Sequence, residues 1–251
     1  MSDDDYSKYE HLTFDKFREL AGSDGLSAHQ KVGFPDAYRE GREAAIFRDI
    51  LEKLPVTRRE NADVLEIGPG CSALPLMLAD ACERQGHRLF LIDSGEMLAH
   101  LPDRPFQHKI PGRFPAVPDF LREQAGRMDL LLAYSVIQYP FEEGGFWPFF
   151  DAALSLMRDG AFFLIGDVPN LSMRKRFFAS EAGARFHREF TGSDERPDVR
   201  FNRLEVGGMD DSVVLAMLGR ARAAGFHAWV LPQAGDLPMA NRREDILVYR
   251  P

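Results

Sequence analysis

The stretch Val64-Leu65-Glu66-Ile67-Gly68-Pro69-Gly70-Cys71-Ser72-Ala73 constrains this chain more than any other. Val64 to Ile67 reads as a strand, two glycines follow, and Leu74, Leu78 and Ala81 then recur at helical spacing. A strand that turns through glycine into a helix points backbone N–H groups at the helix start. Because glycine has no Cβ, a ligand can approach that backbone closely. Such a unit belongs to a parallel sheet, so further strand–helix pairs are expected around it.

The rest of the chain supplies them. Leu89 to Ile92 reads as a second strand, Phe106 to Ile110 as a weaker third, and Met128 to Tyr134 as a fourth. The fourth is nearly all apolar, which predicts cover on both faces. A helix over Phe146 to Met157 leads to a fifth strand, Ala161 to Ile165. Upstream, Phe47, Ile50, Leu51 and Leu54 predict a helix from Ala37 to Leu54, stopped by Pro55. Residues Leu171 to Gly208 break the alternation and carry no strand signal. Val213, Val214, Met217, Leu218 and Ala221 then form a helical stripe, with cap candidates at Asp210 to Ser212 and a stop at Gly225. His227 to Leu231 and Ile246 to Tyr249 close the chain as strands, the last expected as an antiparallel edge strand. The expected organisation is an N-terminal cap or helical extension over 1–55 and a catalytic domain over 56–251, with 170–208 inserted as a lid.

Composition narrows the partners. Apolar residues make up 45% of the 251 and charged residues 28%, enough for a large core. Lysine plus arginine is 31 against 39 aspartate plus glutamate, a net charge of −8, which argues against a nucleic-acid partner. Cys71 and Cys82 are too few for a disulfide framework and fit a reducing, cytoplasmic setting. The start Met1-Ser2-Asp3-Asp4-Asp5 is unlike a basic leader, and Leu130 to Ile137, the longest apolar stretch, is too short for membrane insertion. The many phenylalanines leave room for a homo-oligomer contact.

Two cofactor classes compete for the glycine turn. Its spacing, with Ala73 in the third small position, also fits the dinucleotide fingerprint, so an NAD(P)-dependent oxidoreductase is one reading. Glu66 weighs against it. A carboxylate two residues before Gly68 would repel the roughly two negative charges of a pyrophosphate and would attract an ammonium or a sulfonium. S-adenosylmethionine carries both cations and no phosphate. Asp93, at the end of the second strand, can accept both ribose hydroxyls of any adenosine ligand.

On these residues the chain resembles the class I S-adenosylmethionine-dependent methyltransferases. Glu66-x-Gly68-x-Gly70 is similar to that family's first motif and Leu91-Ile92-Asp93 to its second. Asp129 to Ile137 looks like its fourth-strand motif and Gly160 to Leu164 like the strand after it. The resemblance covers Ala37 to Pro251. It implies a Rossmann-like seven-stranded, mostly parallel α/β sheet with an antiparallel last strand, helices on both faces, and cap segments at the N-terminus and after strand five. It further implies that Gly68, Pro69 and Gly70 line the methionine part of the cofactor and that Asp93 holds the ribose. Ser94 and Met97 would border the adenosine, with Tyr134 and Ser135 near the reactive methyl. Where the family often has an acid facing adenine, this chain has Pro111-Gly112-Arg113-Phe114, which shifts that contact to backbone groups and Phe114. Upstream segments commonly cover the cofactor in this family, and Arg39 is placed to pair with its carboxylate.

Methyl transfer from a sulfonium asks the protein to align the acceptor and exclude water, and an alcohol acceptor also needs a base. His87, His108 and His227 fall on the wrong edge or inside strands and read as structural. His29 and His187 lie in segments that could cover the cofactor, and Asp167 directly follows the fifth strand, so these three are the catalytic candidates. Asp167 with Asn170 hints at an acid–amide magnesium pair, but the fourth strand offers Tyr134 and Ser135 where a further acid is expected, so no metal is predicted. Between Met173 and Arg188, arginines and a lysine alternate with Phe177, Phe178 and Phe186, which fits a lid offering cations to an anionic acceptor and fits a solvated amphipathic helix equally. The front segment and the turn from Gly166 to Asn170 look similar to methyltransferases of bacterial surface-glycan pathways. The expected activity is O-methylation of a small anionic acceptor, a sugar or nucleotide-sugar. A methyltransferase-fold binding subunit without turnover is the remaining alternative.

Overall fold

The computed structural model describes residues 12–33, 41–203 and 205–251. In chain order it contains α1 (Phe14–Gly22), the single turn α2 (Ala28–Lys31), α3 (Glu43–Lys53), β1 (Asp63–Ile67), α4 (Ala73–Arg84), β2 (Arg88–Asp93), α5 (Gly95–Leu98) and β3 (Gln107–Pro111). These are followed by α6 (Pro118–Gln124), β4 (Met128–Tyr134), α7 (Gln138–Glu142), α8 (Phe146–Leu156) and β5 (Met157–Pro169). The chain ends with α9 (Leu171–Phe178), α10 (Glu181–Thr191), α11 (Asp211–Ala223), β6 (His227–Pro232) and β7 (Arg243–Tyr249).

The strands form one seven-stranded sheet in the order β3-β2-β1-β4-β5-β7-β6. The pairs β1–β2, β1–β4, β2–β3 and β4–β5 are parallel, and only the pairs made by β7 are antiparallel. The expected layered sheet is therefore present, with one correction. The last strand is antiparallel, but it is inserted between β5 and β6, and β6 takes the edge. Ile246 and Val248 are fully buried there, as a central position requires.

The strand period of two explains the layers. Leu65, Ile67, Phe90, Ile92, Leu131 and Ala133 point to one face, under Phe149 and Phe150 of α8 and Met217 of α11. Val64, Leu89, Leu91, Leu130 and Leu132 point to the other, against Ile50 of α3 and Leu78 of α4. All of β4 is buried, in line with its nearly all-apolar text.

Two local expectations shift, and a third holds with helices filling it. The helix expected from Ala37 begins at Glu43, with residues 41–42 in a turn and 34–40 outside the described residues. The fifth strand runs well past Ala161 to Ile165 in both directions. The segment expected to lack strands folds into the helix pair α9 and α10, capped by Asn170 and Ser180.

His87 is structural. Its Nδ1 accepts from Ala62 N at 2.9 Å and its Nε2 lies 2.8 Å from Val56 O, which fixes the neutral ring with the proton on Nε2. His108 stacks on Phe90 and His227 on Tyr249, both within the sheet. No helix among the described residues is long and apolar enough to cross a membrane.

Candidate functional site

The glycine turn leaves β1 at the carboxyl edge of the sheet, as it must for β1 to feed α4. Gly68 and Gly70 adopt φ +69° and +67°, a region that costs an L side chain energy. Space forbids one as well. A Cβ on Gly68 would lie 2.7 Å from Val136 Cγ2, and one on Gly70 would lie 2.6 Å from Val32 Cγ1. Gly68 N–H donates to Ile92 O at 2.9 Å, which ties the turn to the end of β2.

That tie brings two carboxylates together. Asp93 accepts from Gly70 N at 3.1 Å and from Ser94 N at 2.7 Å, so its position is set by the turn it faces. Glu66 is 2% exposed, and its Oε2 is buried without a hydrogen-bond partner. Burial pushes the Glu66 carboxyl up to about 8, with the Asp93 charge adding to the effect. Burial likewise lifts Asp93 to about 6, against the lowering pull of the Ser94 and Gly70 N–H groups. A buried acid with an orphaned oxygen is a costly feature, and an incoming cation would offset that cost.

These groups line a cleft of about 1000 Å3, its open mouth included. Of the residues expected at the cofactor, Glu66, Gly68, Pro69, Gly70, Asp93, Met97, Tyr134 and Ser135 all line it. Ser94 stands behind this wall, and its Oγ accepts from Met97 N at 3.1 Å and starts α5. Phe114 also lines the cleft, beside Gly112 and Arg113. Arg39 lies outside the described residues.

The roof combines residues of the segment expected as an N-terminal cap with residues around α7 that the sequence does not single out. Phe14 and Phe17 of α1, Val32, and Tyr139, Pro140 and Glu143 around α7 complete the lining. Phe17 meets Tyr139 edge-on at 4.8 Å, and Glu143 accepts from Phe14 N at 3.2 Å while pairing with Arg113. None of the described residues of 170–208 lines this cleft.

The catalytic candidates separate. Asp167 is buried behind the cleft and accepts from Ser135 Oγ, whose residue lines it. Arg243 donates to Asp167 Oδ2 at 3.1 Å, and Asp167 N donates to Asp245 Oδ1 at 2.8 Å. Ser135 and Asp167 sit at φ +59° and +60°, two left-handed non-glycine residues at adjacent strand ends. His29 is held elsewhere: its ring is paired with Glu43 across the α2–α3 junction. His187 belongs to a second cavity with Arg174 and Arg203, because α10 packs on α9 and away from the turn. Asn170 spends its amide on Asp211 at 2.8 Å and Glu244 at 2.6 Å, and its oxygen caps α9, so it does not join Asp167 as an acid–amide pair.

No protein-family model matches the sequence, and no curated relative matches it. Solved structures do resemble it. A SAM-dependent methyltransferase from Aquifex aeolicus superposes over 87% of this chain and 95% of its own, with TM-score 0.50 and 13% identity. The CurJ carbon methyltransferase does so over 96% of this chain and 65% of its own, with TM-score 0.50 and 15% identity. A possible exported protein from Bordetella parapertussis covers 97% of this chain and 81% of its own, with TM-score 0.53 and 15% identity. The likeness is one of fold. It agrees with the seven-stranded Rossmann-like sheet, and at such identities it carries nothing about chemistry.

Proposed function

We propose that this chain is an S-adenosylmethionine-dependent methyltransferase acting on a small anionic metabolite, with a hydroxyl of a sugar or nucleotide-sugar as acceptor. The observation that carries the reading is the buried, half-orphaned carboxylate of Glu66 at the glycine turn. Such a group attracts a cationic adenosyl ligand and repels a pyrophosphate, which disfavours an oxidoreductase that binds NAD(P). Two of the fold neighbours are methyltransferases by description, which agrees with the donor and says nothing of the acceptor.

The residues present fit this cofactor. Glu66 would face its cationic end, the cradle of Gly68 and Gly70 would pass the methionine part, and Asp93 would take the ribose hydroxyls. Met97 and Phe114 offer apolar walls to the adenine, and Arg39 stays the proposed partner of the carboxylate. When bound, the cofactor supplies an electrophilic methyl together with its own leaving group. The chain's share is to orient the acceptor and exclude water, for which Phe14, Phe17 and Tyr139 form the cover.

Asp167 is the proposed base, acting through the Ser135 hydroxyl that it already accepts from. His29 and His187 are committed elsewhere and take no part in this reading. Asp167→Asn should lower turnover about 100-fold, in the usual range for a lost base, with affinity for S-adenosylhomocysteine unchanged. The proposal itself is tested by incubating the protein with methyl-labelled S-adenosylmethionine and a panel of sugars, sugar phosphates and nucleotide-sugars. Label in an ether-linked product supports it. Tight cofactor binding with no label in any acceptor of the panel would instead favour a binding subunit.

A further inference from the structure

Among the described residues, the second cavity shares no lining residue with the cleft at the glycine turn. It is built from α9, from His187 of α10 and from the loop that returns toward α11. Four cations line it. Lys175 is paired with Glu205 at 2.8 Å and Arg200 with Asp198 at 3.0 Å. Arg174 and Arg203 form no ion pair among the described residues, and both are exposed to the cavity's solvent. The Arg174 guanidinium is instead held over the Phe178 ring, 5.4 Å from its centroid. Two acids thus cancel two of four cations, and two arginines remain uncompensated in a chain whose net charge is −8.

We propose that this cavity binds a small organic phosphate, with Arg174 and Arg203 clamping the phosphoryl group and Phe178 and Val206 meeting the organic part. Guanidinium forks match phosphate oxygens in pairs, and a stacked arginine has lost much of the freedom that binding would otherwise remove. The positive fields converge as the clamp requires. The Glu205 carboxyl is held below its usual range first by its hydrogen bond from Lys175, and then by the charges of Lys175, Arg174 and Arg203. Val206 is a fully exposed apolar side chain at the rim, surface that a bound organic group would cover. A polyanion such as RNA needs a long basic track, which the acidic chain does not offer, whereas an excess of two positive charges in a concavity suits one phosphoryl group.

The inference is independent of the methyl donor. It is tested by isothermal titration of the full chain, without cofactor, using glucose 1-phosphate, inorganic phosphate and a single-stranded RNA as separate probes. Glucose 1-phosphate should saturate at one site per chain, weaken at high salt, and bind more tightly than inorganic phosphate. Arg174→Ala combined with Arg203→Ala should weaken it more than about tenfold, a loss of over ~1.4 kcal/mol. Both side chains are exposed, so the thermal transition of that double variant should match the parent, and Glu66→Gln should leave the affinity unchanged. Absence of binding, equal affinity in the double variant, or RNA binding that glucose 1-phosphate cannot displace would overturn the proposal. Inorganic phosphate binding as tightly as the ester would overturn its organic half.

Discussion

Glu66→Gln should weaken binding of S-adenosylhomocysteine by about two orders of magnitude while making the ligand-free protein more stable at pH 8. Losing a buried charge-assisted contact typically costs about 3 kcal/mol, which is that factor in affinity. The opposite effect on stability follows from the raised carboxyl. In the folded chain Glu66 titrates near 8, well above its unfolded value. The fold therefore keeps a proton that the unfolded chain has released, and the stability tied to that proton is complete at acid pH and is lost as pH rises through 8. Glutamine removes the titration, so the variant should match the parent near pH 4 and gain on it up to pH 8. The same titration predicts parent affinity rising from pH 6 to 8 by up to about tenfold per unit, because only the ionised acid pairs with a cation. Asp93, titrating near 6, steepens the lower part of that rise. Thermal melts and titration calorimetry across this pH range check all three signs.

The second large effect is expected far from the cleft. Lys53 Nζ bridges Asp49 at 2.5 Å and Asp245 at 2.6 Å, and these two carboxylates are 2% and 0% exposed. Lys53→Ala should destabilise the protein by about 3–5 kcal/mol, because it leaves two buried acids without their cation. In a chain of this size the melting temperature should fall by roughly 10 °C. Burial already raises the Asp245 carboxyl against the pull of Lys53, and removing the lysine raises it further. The deficit should accordingly shrink as pH falls and Asp245 takes up a proton. Asp245 also accepts from Asp167 N and from Gln233 Nε2 at 3.1 Å, so the loss should loosen the Ser135–Asp167 pair as well. An unchanged urea midpoint would show that the bridge contributes nothing.

What the sequence disclosed, and what it hid, follows from the range of the forces involved. Val64 to Ala73 could be read directly, because strand period, glycine turn and helix period are local properties. The same holds for β4, whose residues Leu130 to Ala133 form a continuous apolar run after Asp129. The position of β7 could not be read, since the choice between an edge and a place beside β5 is settled by pairing between segments distant in the chain, such as Ile165 with Ile246. A cap from the N-terminal segment was expected, but which of its residues would meet the cleft was not legible, because Phe14 and Phe17 are placed by Glu143 and Tyr139, more than a hundred residues away. His29 holds a position in the sequence that could face the cofactor, and the structure pairs its ring with Glu43 on the next helix. His187 is a candidate because an insertion after β5 can fold toward the cleft, and the structure places it beside the second cavity, where α10 packs on α9.

The most direct test of the central claim is a side-by-side binding measurement on the unmodified chain with S-adenosylhomocysteine and with NADPH. At pH above 8, where the acid buried beneath the glycine turn is ionised, saturable binding of the first and none of the second is expected, with the first weakened about 100-fold in Glu66→Gln. NADPH binding that survives in the parent, with no heat from S-adenosylhomocysteine, would contradict it.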